Sequence, residues 1–278
     1  MNQVTIRVPA TSANLGPGFD CLGVALDLHN RVTVVRGGAV HPDPMVTEAA
    51  AAYFRHSGRE DFGFSWSIEG EIPRSRGLGS SVAVRLGILH GLNEVDGRPL
   101  DSGTLYRICA DLEGHPDNAA PAAFGGFTAA RGDGVCFRCG IGTELRFVLL
   151  VPDGEIDTDS SRGVLPAEIG RMDAVRSLAN AALITAAFAS QDYGLLRGSI
   201  RDWLHEPFRE KANPHLRPAV AAGVAAGALG GYLSGSGSAV CCMTLEKPDD
   251  VAAAMQSVLP SARIMILAPD NTGVRVAS

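Results

Sequence analysis

Three short segments combine glycine with serine: Thr11-Ser-Ala-Asn-Leu-Gly-Pro-Gly18, Gly77-Leu-Gly-Ser-Ser81 and Gly230-Gly-Tyr-Leu-Ser-Gly-Ser-Gly237. The middle one constrains the fold most. It follows an alternating, strand-like stretch at 62–68 and leads into a pattern with Val82, Leu86, Leu89 and Leu92 at helical spacing. The loop therefore delivers its backbone to a helix N-terminus. Glycines let that backbone approach an anion closely, Ser80 and Ser81 offer hydroxyls, and the helix points free N–H groups and its positive dipole end at the same place. This is the make-up of a phosphate cradle; a glycine-rich turn with a serine N-cap is the plain alternative. A dinucleotide fingerprint is disfavoured, because Val82 stands where the third small residue should be. The P-loop is excluded, since the only lysines are Lys211 and Lys247 and neither follows a glycine. Phosphate would have to be held by backbone N–H groups, arginine or a metal.

Around these segments the chain reads as α+β. Strands are expected at 3–8, 23–28, 31–35 and 62–68, then at 126–130, 135–139 and 145–151, and finally at 232–233, 240–245 and 263–267. The run Phe147-Val-Leu-Leu-Val151 is apolar without interruption, which suits the centre of a sheet. Helices are expected from Val82 onward, over 102–113 with Ser102 as N-cap, over 171–189, and in shorter pieces at 194–203, 218–226 and 249–258. In the 171–189 helix, Met172, Val175, Leu178, Ala182 and Ala186 fall near one face. A composition shift near Val151-Pro-Asp-Gly154 suggests a division into residues 1–150 and 151–278.

Composition narrows the ligand. With 24 basic and 30 acidic side chains the net charge is −6, a poor basis for nucleic-acid binding. The start lacks a charged and apolar leader, and the weakly polar stretch 219–231 is too short and glycine-rich for a membrane span. A soluble cytoplasmic protein with a small-molecule substrate is expected. Cys136-Phe-Arg-Cys139 invites a zinc or redox reading, yet no second pair accompanies it. Cys241 and Cys242 are adjacent, so on a strand they point to opposite faces; buried free thiols are the better reading.

Taken in order, the segments resemble the GHMP kinase superfamily, and within it the homoserine kinase family. Val8-Pro-Ala-Thr-Ser-Ala-Asn-Leu-Gly-Pro-Gly-Phe-Asp-Cys-Leu-Gly23 looks like that family's N-terminal motif. Residues 73–83 are similar to its ATP phosphate loop, and Leu233-Ser-Gly-Ser-Gly237 to its C-terminal glycine motif. Glu113-Gly-His-Pro-Asp-Asn-Ala-Ala-Pro-Ala122 is close to the family consensus. The resemblance covers about positions 4–270 and implies a two-lobed GHMP kinase fold. Its N-terminal domain would be like ribosomal protein S5 domain 2 and its C-terminal domain ferredoxin-like.

The implied activity is ATP- and Mg²⁺-dependent phosphorylation of the L-homoserine side-chain hydroxyl, in threonine biosynthesis. Residue by residue, the resemblance places ATP against Pro73, Arg74, Ser75, Arg76, Gly77, Leu78, Gly79, Ser80 and Ser81, and Mg²⁺ against Ser81 and Glu113. It builds the amino-acid pocket from Asn14, Asp20, His115, Thr158, Arg162 and Arg209, with Asn118 and Arg162 as the catalytic pair. These types suit a zwitterion: Asp20 for the ammonium, Arg162 and Arg209 for the carboxylate. Asn118 stands where other GHMP kinases carry an acidic base, so attack is expected without a dedicated carboxylate base; Asp117 is adjacent. Val82 and Ser238 depart from the family pattern without removing a charged ligand. The family also suggests a homodimer. Two other readings remain, a kinase of a related hydroxy amino acid or hydroxy acid in specialised metabolism, and a non-catalytic ligand-binding protein of the same fold.

Overall fold

A computed structural model of the chain describes residues 2–38, 43–154 and 158–277; the side chains of Thr158 and Asp159 lie outside the described set. Two sheets carry the fold. The first has the order β10-β1-β2-β4-β5, with β3 also paired to β2. Its strands are β1 (Gln3–Ala13), β2 (Leu22–Arg36), β3 (Phe64–Gly70), β4 (Phe127–Ala130), β5 (Cys136–Cys139) and β10 (Arg275–Val276). The stretches expected as two strands at 23–28 and 31–35 form one long β2, whose irregularity is absorbed opposite Pro9 and Ala10. Proline has no N–H for the ladder, which explains the register shift there.

Helices α1 (Pro44–Ser57), α2 (Ser80–Val95), α3 (Ser102–Glu113) and α4 (Ala119–Phe124) accompany this sheet. Helix α2 lies directly on β1 and β2 because it has no side chain at two successive turns. A Cβ at Gly87 would sit 2.3 Å from Val32 Cγ2, and one at Gly91 2.4 Å from Val34 Cγ2. Helix α1 was not read from sequence, although Asp43 caps Met45 and Val46, Pro44 opens the first turn and Gly58 closes the helix at φ 63°. Asp101 rather than Ser102 caps α3, accepting from the Thr104 N–H at 2.7 Å.

The second sheet is antiparallel, ordered β7-β8-β6-β9, from β6 (Arg146–Val151), β7 (Gly230–Leu233), β8 (Val240–Thr244) and β9 (Arg263–Leu267). The chain thus changes sheets between β5 and β6. The apolar run in β6 is central and buried on both faces: Phe147 and Leu149 join the main core, while Val148 and Leu150 pack in a second cluster with Leu216, Val251 and Met255. Cys241 and Cys242 separate the same way, one into each cluster. The main cluster runs from the first sheet onto this one, so the lobes share a core.

Among the described residues five more helices follow: α5 (Thr158–Gly163), α6 (Arg171–Ser190), α7 (Glu206–Arg209), α8 (Leu216–Ala225) and α9 (Pro248–Val258). The helix expected at 194–203 is absent. A 3-10 turn covers Tyr193–Leu196, and the buried Asp202 then spends its carboxylate on the N–H groups of Leu204, His205 and Glu206. That capture satisfies the N–H groups at the start of α7, while Gly198 at φ 79° interrupts the expected helix. The apolar face read on α6 is exposed along its whole length, Ala182 and Ala186 included. Met172, Val175 and Leu178 are 59%, 50% and 72% exposed, and burial falls instead on Ser177, Ile184, Ala187 and Phe188.

Candidate active site

The three glycine segments converge at one end of β1. The Gly235 N–H donates to Ala13 O, the Thr11 N–H to Leu78 O, and the Ala239 N–H to Arg76 O. Ser234 ties the three together, its Oγ donating to Gly77 O at 2.7 Å and lying 2.7 Å from Ser12 Oγ. Contacts this close require glycine. At φ +72°, Gly77 would place a Cβ 1.9 Å from Ser234 O, and Gly79 at φ +68° would place one 2.0 Å from Thr11 Oγ1.

A cavity of about 270 Å³ opens at this junction. One pole is the N-terminus of α2, where Gly79 occupies the cap position and offers no side-chain hydrogen bond to the first-turn N–H groups. Arg74, Ser75, Gly77, Leu78, Gly79, Ser80 and Ser81 line the cavity, with Asp43, Met45, Trp66, Ile68 and Val84 beyond them. Pro73 and Arg76 are not lining residues. Arg76 instead fastens the loop to the second lobe, donating to Pro152 O at 2.8 Å and to Asp153 O. Glu113, the last residue of α3, reaches the same pole: Ser81 Oγ donates to its Oε2 at 2.9 Å, and Arg85 pairs with its Oε1.

Adjacent ligands of an octahedral Mg²⁺ bound at 2.0–2.1 Å stand about 2.9 Å apart. The spacing of Ser81 Oγ and Glu113 Oε2 suits one edge of such a shell.

The other pole is charged. Arg162, on α5, forms a two-pronged pair with Asp20, NH1 to Oδ2 at 3.0 Å and NH2 to Oδ1 at 2.5 Å. Asp20 is held at φ 56° by the side chain of Asn14, whose Oδ1 accepts the Asp20 N–H while its Nδ2 donates to Gly235 O. Asn14 lines the cavity, but these two bonds make it a brace between the first and third glycine segments. His115 Nδ1 is 2.7 Å from Asp117 Oδ1, which also accepts from the Asn118 N–H. Burial opposes protonation of His115, but the hydrogen bond to Asp117 and that carboxylate's charge together outweigh it and raise the imidazole pKa. Asn118 faces the cavity with its Oδ1 accepting from Thr11 Oγ1 at 2.7 Å.

Arg209 is almost wholly buried, donating to Ser161 O, Gly235 O and His205 Nδ1. Because arginine only donates, His205 must accept at Nδ1 and donate its Nε2–H to Gly16 O. Burial, aided by the charge on Arg209, lowers the His205 pKa to about 4 and keeps it neutral. Burial and then the like charge of Arg162 lower Arg209 to about 10, so it remains a cation at neutral pH. Phe19 forms the floor, stacked on His205 at 5.1 Å with Arg162 and Arg209 both against its ring.

The cavity therefore brings together Asn14, Asp20, His115, Asn118, Arg162, Arg209, Ser81 and Glu113. Thr158 begins α5, and its side chain lies outside the described residues. Sequence reasoning did not single out Thr11, Phe19, Arg85 or His205; the first two lie inside the 8–23 motif, whereas Arg85 had no signal beyond its place on α2 and His205 none beyond its nearness to Arg209. Among the described residues, Asp20, His115 and Asp117 could crowd around a metal, as could Asp27, His29 and Asp270. Both groups are already matched by arginines, Arg162 in the first and Arg7 and Arg275 in the second.

Comparison with known proteins bears on what this cavity does. Residues 44–126 match the family described as GHMP kinases N terminal domain, and residues 184–261 match GHMP kinases C terminal. The homoserine kinase of Moorella thermoacetica is 36% identical over 294 residues, covering 98% of this chain and 99% of that protein. The homoserine kinase of Deinococcus radiodurans is 39% identical over 256 residues, covering 86% and 83%. Among solved structures, the homoserine kinase of Cytophaga hutchinsonii superimposes with a TM-score of 0.91 at 24% identity, covering 100% of this chain and 98% of that one.

Proposed function

The chain belongs to the GHMP kinase family, and on that premise we infer that it phosphorylates the side-chain hydroxyl of L-homoserine with ATP, giving O-phospho-L-homoserine on the route to threonine. The observation that carries this reading is the polarity of the cavity. An uncapped helix N-terminus and glycine loop stand at one pole, and a carboxylate with two arginines stands at the other.

The polyphosphate would lie along Gly77–Ser81, where backbone N–H groups and the α2 dipole meet negative charge. Ser81 and Glu113 are the residues that would hold Mg²⁺, which supplies charge neutralisation to the transferring phosphoryl group. The amino acid would enter between Asp20 and Arg162, its ammonium replacing the arginine at Asp20 and its carboxylate taken by Arg162 and Arg209. That exchange turns one ion pair into two and fixes the direction in which the side-chain hydroxyl points. His115 is braced by Asp117, and Asn118, braced by Thr11, faces the space where the hydroxyl would stand. Positioning and phosphate-charge stabilisation then account for the rate, with no carboxylate base.

ATP consumption with Mg²⁺ against L-homoserine, L-threonine, L-serine and mevalonate tests the reading. L-homoserine is expected to give the highest kcat/KM; no turnover with any of the four makes this a binding protein. Asp117→Asn is expected to slow turnover while leaving the acidic limb of the pH–rate profile in place. Loss of both together would restore a carboxylate base.

We further propose a homodimer in the cytoplasm. The exposed stripe Met172, Val175 and Leu178 supports the first, and six free cysteines suit the second. Leu178→Glu is expected to halve the mass seen by light scattering; an unchanged mass removes α6 from the interface.

A further inference from the structure

Arg85 sits one turn along α2 from Ser81 and faces two carboxylates. NH1 pairs with Glu113 Oε1, and NH2 donates to Glu48 Oε2 on α1 at 3.2 Å. Its Nε is buried with no hydrogen-bond partner among the described residues. The side chains of Arg85 and Glu113 are 14% and 8% exposed, against 57% for Glu48. A buried pair of this kind is expensive to build, and an unsatisfied Nε makes it more so. Simple surface solubility does not explain a cation placed there. Nor does phosphate binding, because this guanidinium is spent on carboxylates.

The division of labour on Glu113 is specific. One oxygen meets the Ser81 hydroxyl at octahedral-edge spacing, and the other is filled by arginine. We propose that Arg85 is a positioning residue that leaves Glu113 a single metal-facing oxygen. This proposal rests on the kinase reading and its Ser81–Glu113 metal site. Two consequences follow from elementary coordination chemistry. A one-oxygen carboxylate suits Mg²⁺, which takes compact octahedral shells, and penalises Ca²⁺, which readily takes both oxygens of a carboxylate. The fixed positive charge also weakens any divalent cation that arrives alone, so the metal is retained only when nucleotide phosphates add negative charge. Arginine suits the task better than lysine because its rigid fork spans both glutamates while staying charged.

The test is metal binding by the full chain with no nucleotide present, using Mn²⁺ followed by electron paramagnetic resonance and Ca²⁺ as competitor. Arg85→Gln is expected to bind Mn²⁺ at least about tenfold more tightly, by loss of one nearby positive charge, and to gain more for Ca²⁺ than for Mn²⁺. Arg85→Lys, which keeps the charge, is expected to remain within about threefold of the parent for Mn²⁺. Unchanged or weaker Mn²⁺ binding by a folded Arg85→Gln variant overturns the proposal and makes Arg85 a clasp between helices. Should that variant fail to fold, Glu48→Gln at the exposed outer anchor gives the same decision. With the arginine charge no longer shared, Mn²⁺ binding is expected to weaken by about two- to threefold, and unchanged or tighter binding overturns the proposal. Parent turnover of L-homoserine is measured separately, so failure of the metal prediction in an active kinase sinks only this inference, while absent turnover sinks the kinase reading.

Discussion

Where the cavity meets α2, the groups for the polyphosphate come chiefly from backbone, glycines at positive φ, an uncapped helix start, and loop carbonyls locked against Ser234 and Thr11, with the Ser81 and Glu113 side chains beside them. At the opposite pole they come from side chains, and those side chains are paired with one another, Asp20 with Arg162, His115 with Asp117 and Arg209 with His205. The first pole is ready for its ligand before the ligand arrives. The second must trade internal bonds for bonds to the substrate. Backbone donors cannot be mistaken for another chemistry and suit a common triphosphate; exchangeable ion pairs discriminate, because a molecule lacking either the ammonium or the carboxylate leaves a charge unmatched.

The largest effect is expected at the backbone pole. Gly77→Ala forces a Cβ onto Ser234 O in a left-handed conformation, and about 2–4 kcal/mol of stability should be lost. Thermal melts check the stability, and kcat/KM for ATP is expected to fall at least about 100-fold as the loop shifts. A variant with normal ATP kinetics would break the claim that this pole is preorganised. Next comes Arg209→Met, which should lower kcat/KM for L-homoserine by about 10–150-fold, the equivalent of one charge-assisted bond of about 1.5–3 kcal/mol. The KM for ATP at saturating amino acid should stay within about twofold. Equal losses for both substrates would merge the two poles into one.

Asp20→Asn should have a smaller effect, about tenfold in the KM for L-homoserine, because half-exposed pairs are partly screened. It should also narrow the preference over 4-hydroxybutyrate, which lacks the ammonium; an unchanged preference removes Asp20 from recognition. The smallest effect concerns pH. His205 has a folded pKa of about 4, below its ordinary 6.5, so the unfolded chain binds more protons between those values and this group's contribution to stability declines as pH falls from 6.5 to 4. Glu206 runs the other way. Burial first of all raises it from 4.5 to about 7, so its contribution is complete below 4.5 and is lost as pH rises through about 7. The two largely offset each other between about pH 4.5 and 6.5, so the acid-side decline should show from pH 4 to 8 in melting temperatures of Glu206→Gln, which keeps only the histidine contribution. Steady-state kinetics over the same range should show the KM for L-homoserine rising in acid before that for ATP, since His205 braces Arg209. Parallel rises would mean that the two poles share one titrating group.

Much of the fold was legible because it is written in local periodicity. The loop into α2, the limits of α3 and β9, and the doubly buried β6 follow from spacing over a few residues. What was missed has identifiable causes. Helix α1 has its sequence signal in its ends, Asp43-Pro44 and Gly58, more than in apolar spacing between them. The expected helix at 194–203 gave way where Gly198 turns to φ 79°, a conformation that ends a right-handed helix. The apolar stripe on α6 was readable but not its exposure, since spacing alone does not say which face of a helix meets the core.

By itself the sequence determined the three glycine segments, the elements that flank them and the chemical types available at each motif, because those depend on short-range sterics and hydrogen-bond geometry. Only the tertiary structure decided which charges meet. Arg162 reaches Asp20 across 142 positions and Thr11 reaches Asn118 across 107, distances at which no periodicity carries information. Arg85 is the clearest instance. On α2 it reads as one more helix residue, and it becomes a partner of the candidate metal ligand only because two glycines let α2 settle onto the sheet between α1 and α3.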